Sequence, residues 1–233
     1  MMKLPKIEND VFKTKVPSTG ETIEFRGLTI KDEKHFKTME VSEDYNTFIE
    51  SVLNVIKGCT FDKLNVEELF TYDVEHLLNE IKIKSSGKEE SIIVKCEKCD
   101  RGVEVLVDLS KAKLTNNPEG EPTQKIDIND DVGIVLKYIN FAKSKEIFDD
   151  LEDLGQIILA YIDSVYTKEE TSKAEEFDRE ELMEFINRFD IKIIDEIEKF
   201  IESQPSLYYE KEHKCPECSE SIKVQLSGLQ DFL

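Results

Sequence analysis

The chain has 233 residues, 39% apolar and 35% charged, so its apolar side chains must gather on particular faces around a modest core. Its 51 acidic and 31 basic residues leave a net charge of −20, which argues against nucleic-acid phosphate as the main partner, because such binding rests on clustered Lys and Arg. No apolar run reaches the ~18 residues of a membrane span, and Met1-Met2-Lys3-Leu4-Pro5-Lys6 lacks the apolar core of a signal peptide. The expectation is a cytosolic protein, whose reduced cysteines serve a metal rather than disulfides.

The first elements read as a hairpin followed by helices. Glu21-Thr22-Ile23-Glu24-Phe25 alternates as a half-buried strand does, and Pro17-Ser18-Thr19-Gly20 before it signals a turn. This predicts a hairpin over residues 12–25. Thr29 is placed to cap a helix over 30–41, with Asp32 and Glu33 in its first turn. Asp44 is expected to cap the next helix, which carries Phe48, Val52, Leu53, Val55 and Ile56 and stops near Gly58. Asn65 opens a short turn, and Asp73 is the expected cap of a helix carrying Val74, Leu77, Leu78 and Ile81.

The texture then becomes extended. Ser91-Ile92-Ile93-Val94-Lys95 leads into Cys96-Glu97-Lys98-Cys99, Asp100-Arg101-Gly102 turns, and Val103 to Leu109 alternates as a return strand. Asn116-Asn117-Pro118-Glu119-Gly120-Glu121-Pro122 reads as a loop, and extended pieces follow over 124–128 and 133–139. From 144 to 204 the chain is expected to be helical, with apolar sets Leu151, Leu154, Ile157, Ile158 and Tyr161, then Leu182, Phe185 and Ile186, then Ile191, Ile194, Ile197 and Ile201. Residues 141–204 hold 19 acidic and 8 basic side chains, more than half of the net charge, which reads as solvated outer faces. The extended texture returns with Leu207 to Lys211, Cys215-Pro216-Glu217-Cys218, the turn Ser219-Glu220-Ser221, and Ile222 to Leu226.

The two cysteine hairpins are one unit used twice: strand, CxxC, polar turn, strand. A CxxC tip aims both sulfurs at one point, and two tips supply the tetrahedral four-thiolate shell that Zn²⁺ takes. Thiolates without oxygen donors select zinc over magnesium or calcium. The expected ligands are Cys96, Cys99, Cys215 and Cys218, and a filled shell leaves no position for water, so the zinc is structural. A gap of 115 residues separates Cys99 from Cys215, so the intervening chain is an insertion whose ends meet at the ribbon. A redox CxxC expects a βαβ setting that neither hairpin offers. His213 stands near the second pair as an alternative ligand that four thiols make unnecessary, and Cys59 reads as a small core residue.

His35, His76 and His213 form no HExxH arrangement, and no Gly-rich loop suggests a phosphate cradle, so the chain is expected not to be an enzyme. The expected fold class is α+β. Its parts are an N-terminal hairpin with helices over 1–90, a discontinuous zinc ribbon over 91–112 and 205–233, a loop with extended segments over 113–143, and an acidic helical insertion over 144–204.

Several motifs in order along the chain are familiar. They are Leu4-Pro5-Lys6, Val16-Pro17-Ser18-Thr19-Gly20, the run Phe25 to Lys34, Gly58-Cys59, the run Phe70 to Leu77, Ile81 to Gly87 before the first CxxC, Cys215-Pro216-Glu217-Cys218, and Gly228-Leu229-Gln230-Asp231-Phe232. In these the chain resembles the baseplate hub subunit and hub assembly proteins of T4-like contractile-tailed bacteriophages. It departs from them at Arg26-Gly27, where members commonly read Arg-Pro, and at Ile81-Lys82-Ile83-Lys84-Ser85, where members often read Leu-Arg-Ala-Lys-Ser. The resemblance implies a hub component or hub assembly factor that acts by contact with other baseplate hub or tail proteins, in the host cytoplasm during assembly or in the tail baseplate of the virion. It implies no catalysis. The alternative from the ribbon alone is a zinc-ribbon nucleic-acid-binding or regulatory protein, which the net charge opposes.

Overall fold

The computed structural model describes residues 8–42, 44–116, 122–145 and 153–233. Leu4-Pro5-Lys6, residues 117–121 of the expected loop and Leu151 lie outside them. The fold mixes helices and sheets in three apolar clusters.

The first cluster is built by the N-terminal hairpin and three helices. Strands β1 (Phe12–Lys15) and β2 (Thr22–Phe25) pair antiparallel, with Phe12 opposite Phe25. Helix α1 (Ile30–Val41) starts after Thr29, whose backbone N–H and hydroxyl both donate to Asp32. Helix α2 (Tyr45–Cys59) is capped by Asp44, which accepts from Thr47 N–H, and it buries Phe48, Ile49, Val52, Leu53, Val55, Ile56 and Cys59. Helix α3 (Thr71–Ser86) begins three residues earlier than the sequence suggests. Asp73 is therefore not its cap but lies in its first turn, and its carboxylate reaches back to the Phe70 N–H at 3.0 Å.

Arg26 holds the β2–α1 corner to the end of α2. Its guanidinium grips both oxygens of Asp32, at 2.6 and 3.1 Å, and donates to the carbonyls of Gly27 and Gly58. Burial pushes the Asp32 carboxyl up, but hydrogen bonds from Arg26 and Thr29 outweigh it and hold the group at about 2. Gly27 is a close approach, since a Cβ there would meet the Lys84 carbonyl oxygen of α3 at 3.0 Å.

The second cluster is a pair of facing sheets. Strands β3 (Glu89–Lys95) and β4 (Gly102–Asp108) form one hairpin. Strands β10 (Leu207–Lys214) and β11 (Ser221–Ser227) form the other, and β5 (Lys113–Leu114) adds to the β10 edge. Val103, Val105 and Val107 pack with Tyr209, Ile222, Val224 and Leu226 between them.

The third cluster lies between these hairpins in sequence. Strands β6 (Thr123–Asp127), β7 (Val132–Lys137), β8 (Ile162–Thr167) and β9 (Thr171–Lys173) form an antiparallel meander. Helices α4 (Leu154–Tyr161), α5 (Arg179–Ile186) and α6 (Ile191–Glu202) belong to the same cluster, through Ile158, Ile186, Ile193, Ile197 and Phe200. This corrects the expectation of an all-helical 144–204. Ile162-Asp163-Ser164-Val165-Tyr166-Thr167 is β-branched and aromatic, and it joins a sheet whose strands β6 and β7 lie before residue 144. Segments 113–143 and 144–204 thus share one sheet. In α6 the buried face is Ile193, Ile197 and Phe200, while Ile191 is 76% exposed. Gly133 of β7 is crossed by the ring of Tyr166, so a Cβ there would fall 2.2 Å from that ring. A short final helix, α7 (Gly228–Asp231), inserts Leu229 into the first cluster, and Phe141 joins it there.

Replacing Arg26 by Met strips a buried carboxylate of its only bidentate partner. It is expected to cost about 3–5 kcal/mol in urea-induced unfolding. A cost under about 1 kcal/mol, the level of an exposed pair, would show that the corner does not depend on Arg26.

Candidate metal centre

The tips of β3–β4 and β10–β11 bring Cys96, Cys99, Cys215 and Cys218 together, with all four sulfur atoms within 4.8 Å of one another. The Cys96–Cys218 and Cys99–Cys215 sulfurs are each 3.7 Å apart. Thiolates at ~2.3 Å from a tetrahedral zinc stand about 3.8 Å from each other, so the spacing fits that ion. Cys96 and Cys215 are buried, and Cys99 and Cys218 are half-buried. His213 lies in β10 opposite Ile222 and is outside this cluster.

The two tips are built alike. Cys96 N–H donates to the Arg101 carbonyl at 2.8 Å, and Cys215 N–H donates to the Glu220 carbonyl at 2.8 Å. Asp100 N–H returns to the Cys96 carbonyl and Ser219 N–H to the Cys215 carbonyl, both at 2.9 Å. Closing so tight a turn puts Asp100 at φ 61° and Ser219 at φ 60°, the left-handed region in which short polar residues are tolerated. Backbone N–H groups then point at sulfur: those of Cys218 and Glu217 at Cys215, that of Glu220 at Cys218, and that of Arg101 at Cys99. The Cys218 and Glu217 amides draw the Cys215 thiol down to about 7. Four thiolates this close repel one another, and a dication is the chemical species that relieves the repulsion while keeping the amide–sulfur bonds.

Ion pairs join the tips reciprocally. Counting from the first cysteine of each tip, Lys98 at the third position pairs with Glu220 at the sixth (2.7 Å), and Glu217 at the third pairs with Arg101 at the sixth (3.0 Å). Opposite charges at matching places in the two CxxC segments were the sequence signal for this, and a reading for ligands alone passes over it. The pairs are exposed, so they set alignment more than stability.

The ribbon is seated on α3 by three polar side chains on one helical face, also missed by sequence reasoning. Glu75 accepts from the Leu207 N–H at 2.6 Å. Asn79 donates to the Leu109 carbonyl at 3.2 Å. Lys82 donates to the carbonyls of Phe232 and Leu233 at 3.1 and 2.9 Å and pairs with Glu90 at 2.7 Å. Burial pushes the Glu75 carboxyl up to about 7, against hydrogen bonds from Leu207, Ser206 and Leu229.

A family model described as T4 bacteriophage base plate protein matches residues 8–233. No curated protein and no solved structure matches the chain.

Because Glu75 is held above its ordinary value, its contribution to stability is fully present below about pH 4.5 and is lost as pH rises through about 7. Glu75→Gln keeps the shape and removes this titration. The stability difference between wild type and variant is expected to move against the wild type across that window, measured by denaturant unfolding with metal present. A pH-independent difference would contradict the burial account.

Proposed function

The chain belongs to the T4 bacteriophage base plate protein family, and we propose that it works in the hub of that baseplate, as a hub component or hub assembly factor acting by protein–protein contact. The match across residues 8–233 is the observation that carries this reading. The family supports a structural role in the baseplate and contact with other phage tail proteins, and the proposal narrows that role to the hub on the motifs quoted above. The described residues contain no helix long and apolar enough to cross a membrane.

The proposal assigns Cys96, Cys99, Cys215 and Cys218 as ligands of one structural Zn²⁺. Their supports are the closeness of the four sulfurs, the amide–sulfur bonds and the absence of oxygen donors from the set. Magnitudes favour the metal as the closing force: a structural zinc contributes on the order of 10 kcal/mol, far more than solvent-screened ion pairs can. The chain is then a 1–90 body, a ribbon over 91–112 and 205–233, and an insertion between the ribbon's halves, with no catalytic step assigned to any of them.

The test is co-expression with the other baseplate proteins of the same genome. The wild type should co-purify with hub proteins. Cys96→Ser and Cys218→Ser should lower zinc content, melting temperature and co-purification together. Zinc retained at one per chain in both variants with unchanged melting would sink the shared site, and a folded, zinc-loaded wild type that captures no hub protein would sink the hub role.

A further inference from the structure

Strand β3 lies at the edge of the β3–β4 sheet, with no strand on its other side among the described residues. The Lys88 carbonyl accepts from Leu109 N–H, and Cys96 N–H donates to the Arg101 carbonyl, so the even-numbered residues of β3 bond to β4. The backbone groups of Glu89, Ser91, Ile93 and Lys95 therefore point away from β4, and they have no backbone partner among the described residues.

Natural edges are blunted by proline, charge or shortness. β3 is seven residues long, has no proline, and carries Ser91-Ile92-Ile93-Val94 at its centre with charge only towards its ends. Ile93 is 81% exposed. The inward side chains Ile92 and Val94 are half-buried, whereas Val103, Val105 and Val107 on β4 are buried. β4, the sheet's other edge, has the Lys211 ammonium on its Leu106 carbonyl; β5 has two residues, β9 has three, and the outward positions of β11 are Ser221, Lys223, Gln225 and Ser227.

We propose that β3 pairs antiparallel with β3 of a second copy of this chain, centred on Ile92, joining the two hairpins into one four-stranded sheet. In that register Ser91 faces Ile93 and Glu89 faces Lys95, each twice by the two-fold symmetry. All of these are positions whose backbone groups point outward, so the hydrogen-bond ladder closes without a slip. On the inward face Ile92 meets Ile92, which covers the half-buried edge of the ribbon core. The charges select this register: centring on Ile93 instead sets Glu89 against Glu97 and leaves Lys95 opposite Ser91.

Sedimentation velocity of the full, zinc-loaded chain over a micromolar concentration series tests the pairing. The wild type is expected to show a monomer–dimer equilibrium. Glu89→Lys and Lys95→Glu each place like charges opposite each other twice, and each should weaken the dimer by about tenfold or more. Mixing the two variants should restore dimers, because each new lysine then faces a new glutamate. Lys95 also pairs with Asp100, so zinc content and melting are measured in parallel. Ile93→Asp, at a solvent-exposed position, serves as a second disrupting variant if Lys95→Glu disturbs the tip. A wild type that stays monomeric throughout, or a dimer whose affinity neither Glu89→Lys nor Ile93→Asp changes, overturns the proposal.

Discussion

Four sulfur atoms from two tips 115 residues apart in sequence meet within 4.8 Å, and the rest of the architecture has to accommodate that meeting. The chain must leave the first tip, build a four-stranded meander with, among the described residues, three α-helices, and return to the second tip. Closing a loop of this length costs only slowly more entropy than closing a short one, so a single strong tie suffices to hold it. The left-handed turns at Asp100 and Ser219 aim backbone amides at the sulfurs, and the reciprocal Lys98–Glu220 and Arg101–Glu217 pairs align one tip on the other.

Helix α3 carries that clasp into the body of the molecule. On one face Glu75, Asn79 and Lys82, spaced four and three residues apart, take hold of the start of β10, the end of β4 and the final backbone carbonyls. Towards the other side, Asp73 accepts from the backbone and hydroxyl of Ser18, and His76 shares a hydrogen bond with Thr14. Burial raises the Asp73 carboxyl, and the Ser18 and Phe70 donors partly offset it. The N-terminal hairpin and the C-terminal ribbon are thus read by the same helix. This gives a physical reason for two segments of the family resemblance, Val16 to Gly20 and Phe70 to Leu77: they are the two halves of one contact.

Local chemistry was legible in the sequence where it acts over a few residues. The caps Thr29 and Asp44, the hairpin over 12–25 and the two CxxC tips were readable because each rests on local spacing, and the meeting of the tips because a four-thiolate shell needs both pairs. What spacing does not carry is pairing between distant segments. Ile162 to Thr167 looks like the tail of an amphipathic helix until β7 is known to lie beside it. Asp73 looks like a cap because its true partner, Ser18, is 55 residues away. Lys82 finds its three partners on β3 and at Phe232 and Leu233, invisible from its own neighbourhood.

The four-cysteine tips sit on a body whose α3 holds them through buried polar side chains. The acidic side chains Glu180, Glu181 and Glu184 of α5 and Asp195, Glu196 and Glu198 of α6 are exposed. If one zinc ion bound only by sulfur ties the middle of the chain to its end, X-ray absorption at the zinc edge, on protein purified without added chelator, should show one zinc per chain in a shell of four sulfurs at ~2.3 Å; a shell containing nitrogen or oxygen, or no stoichiometric metal at all, is incompatible with that tie.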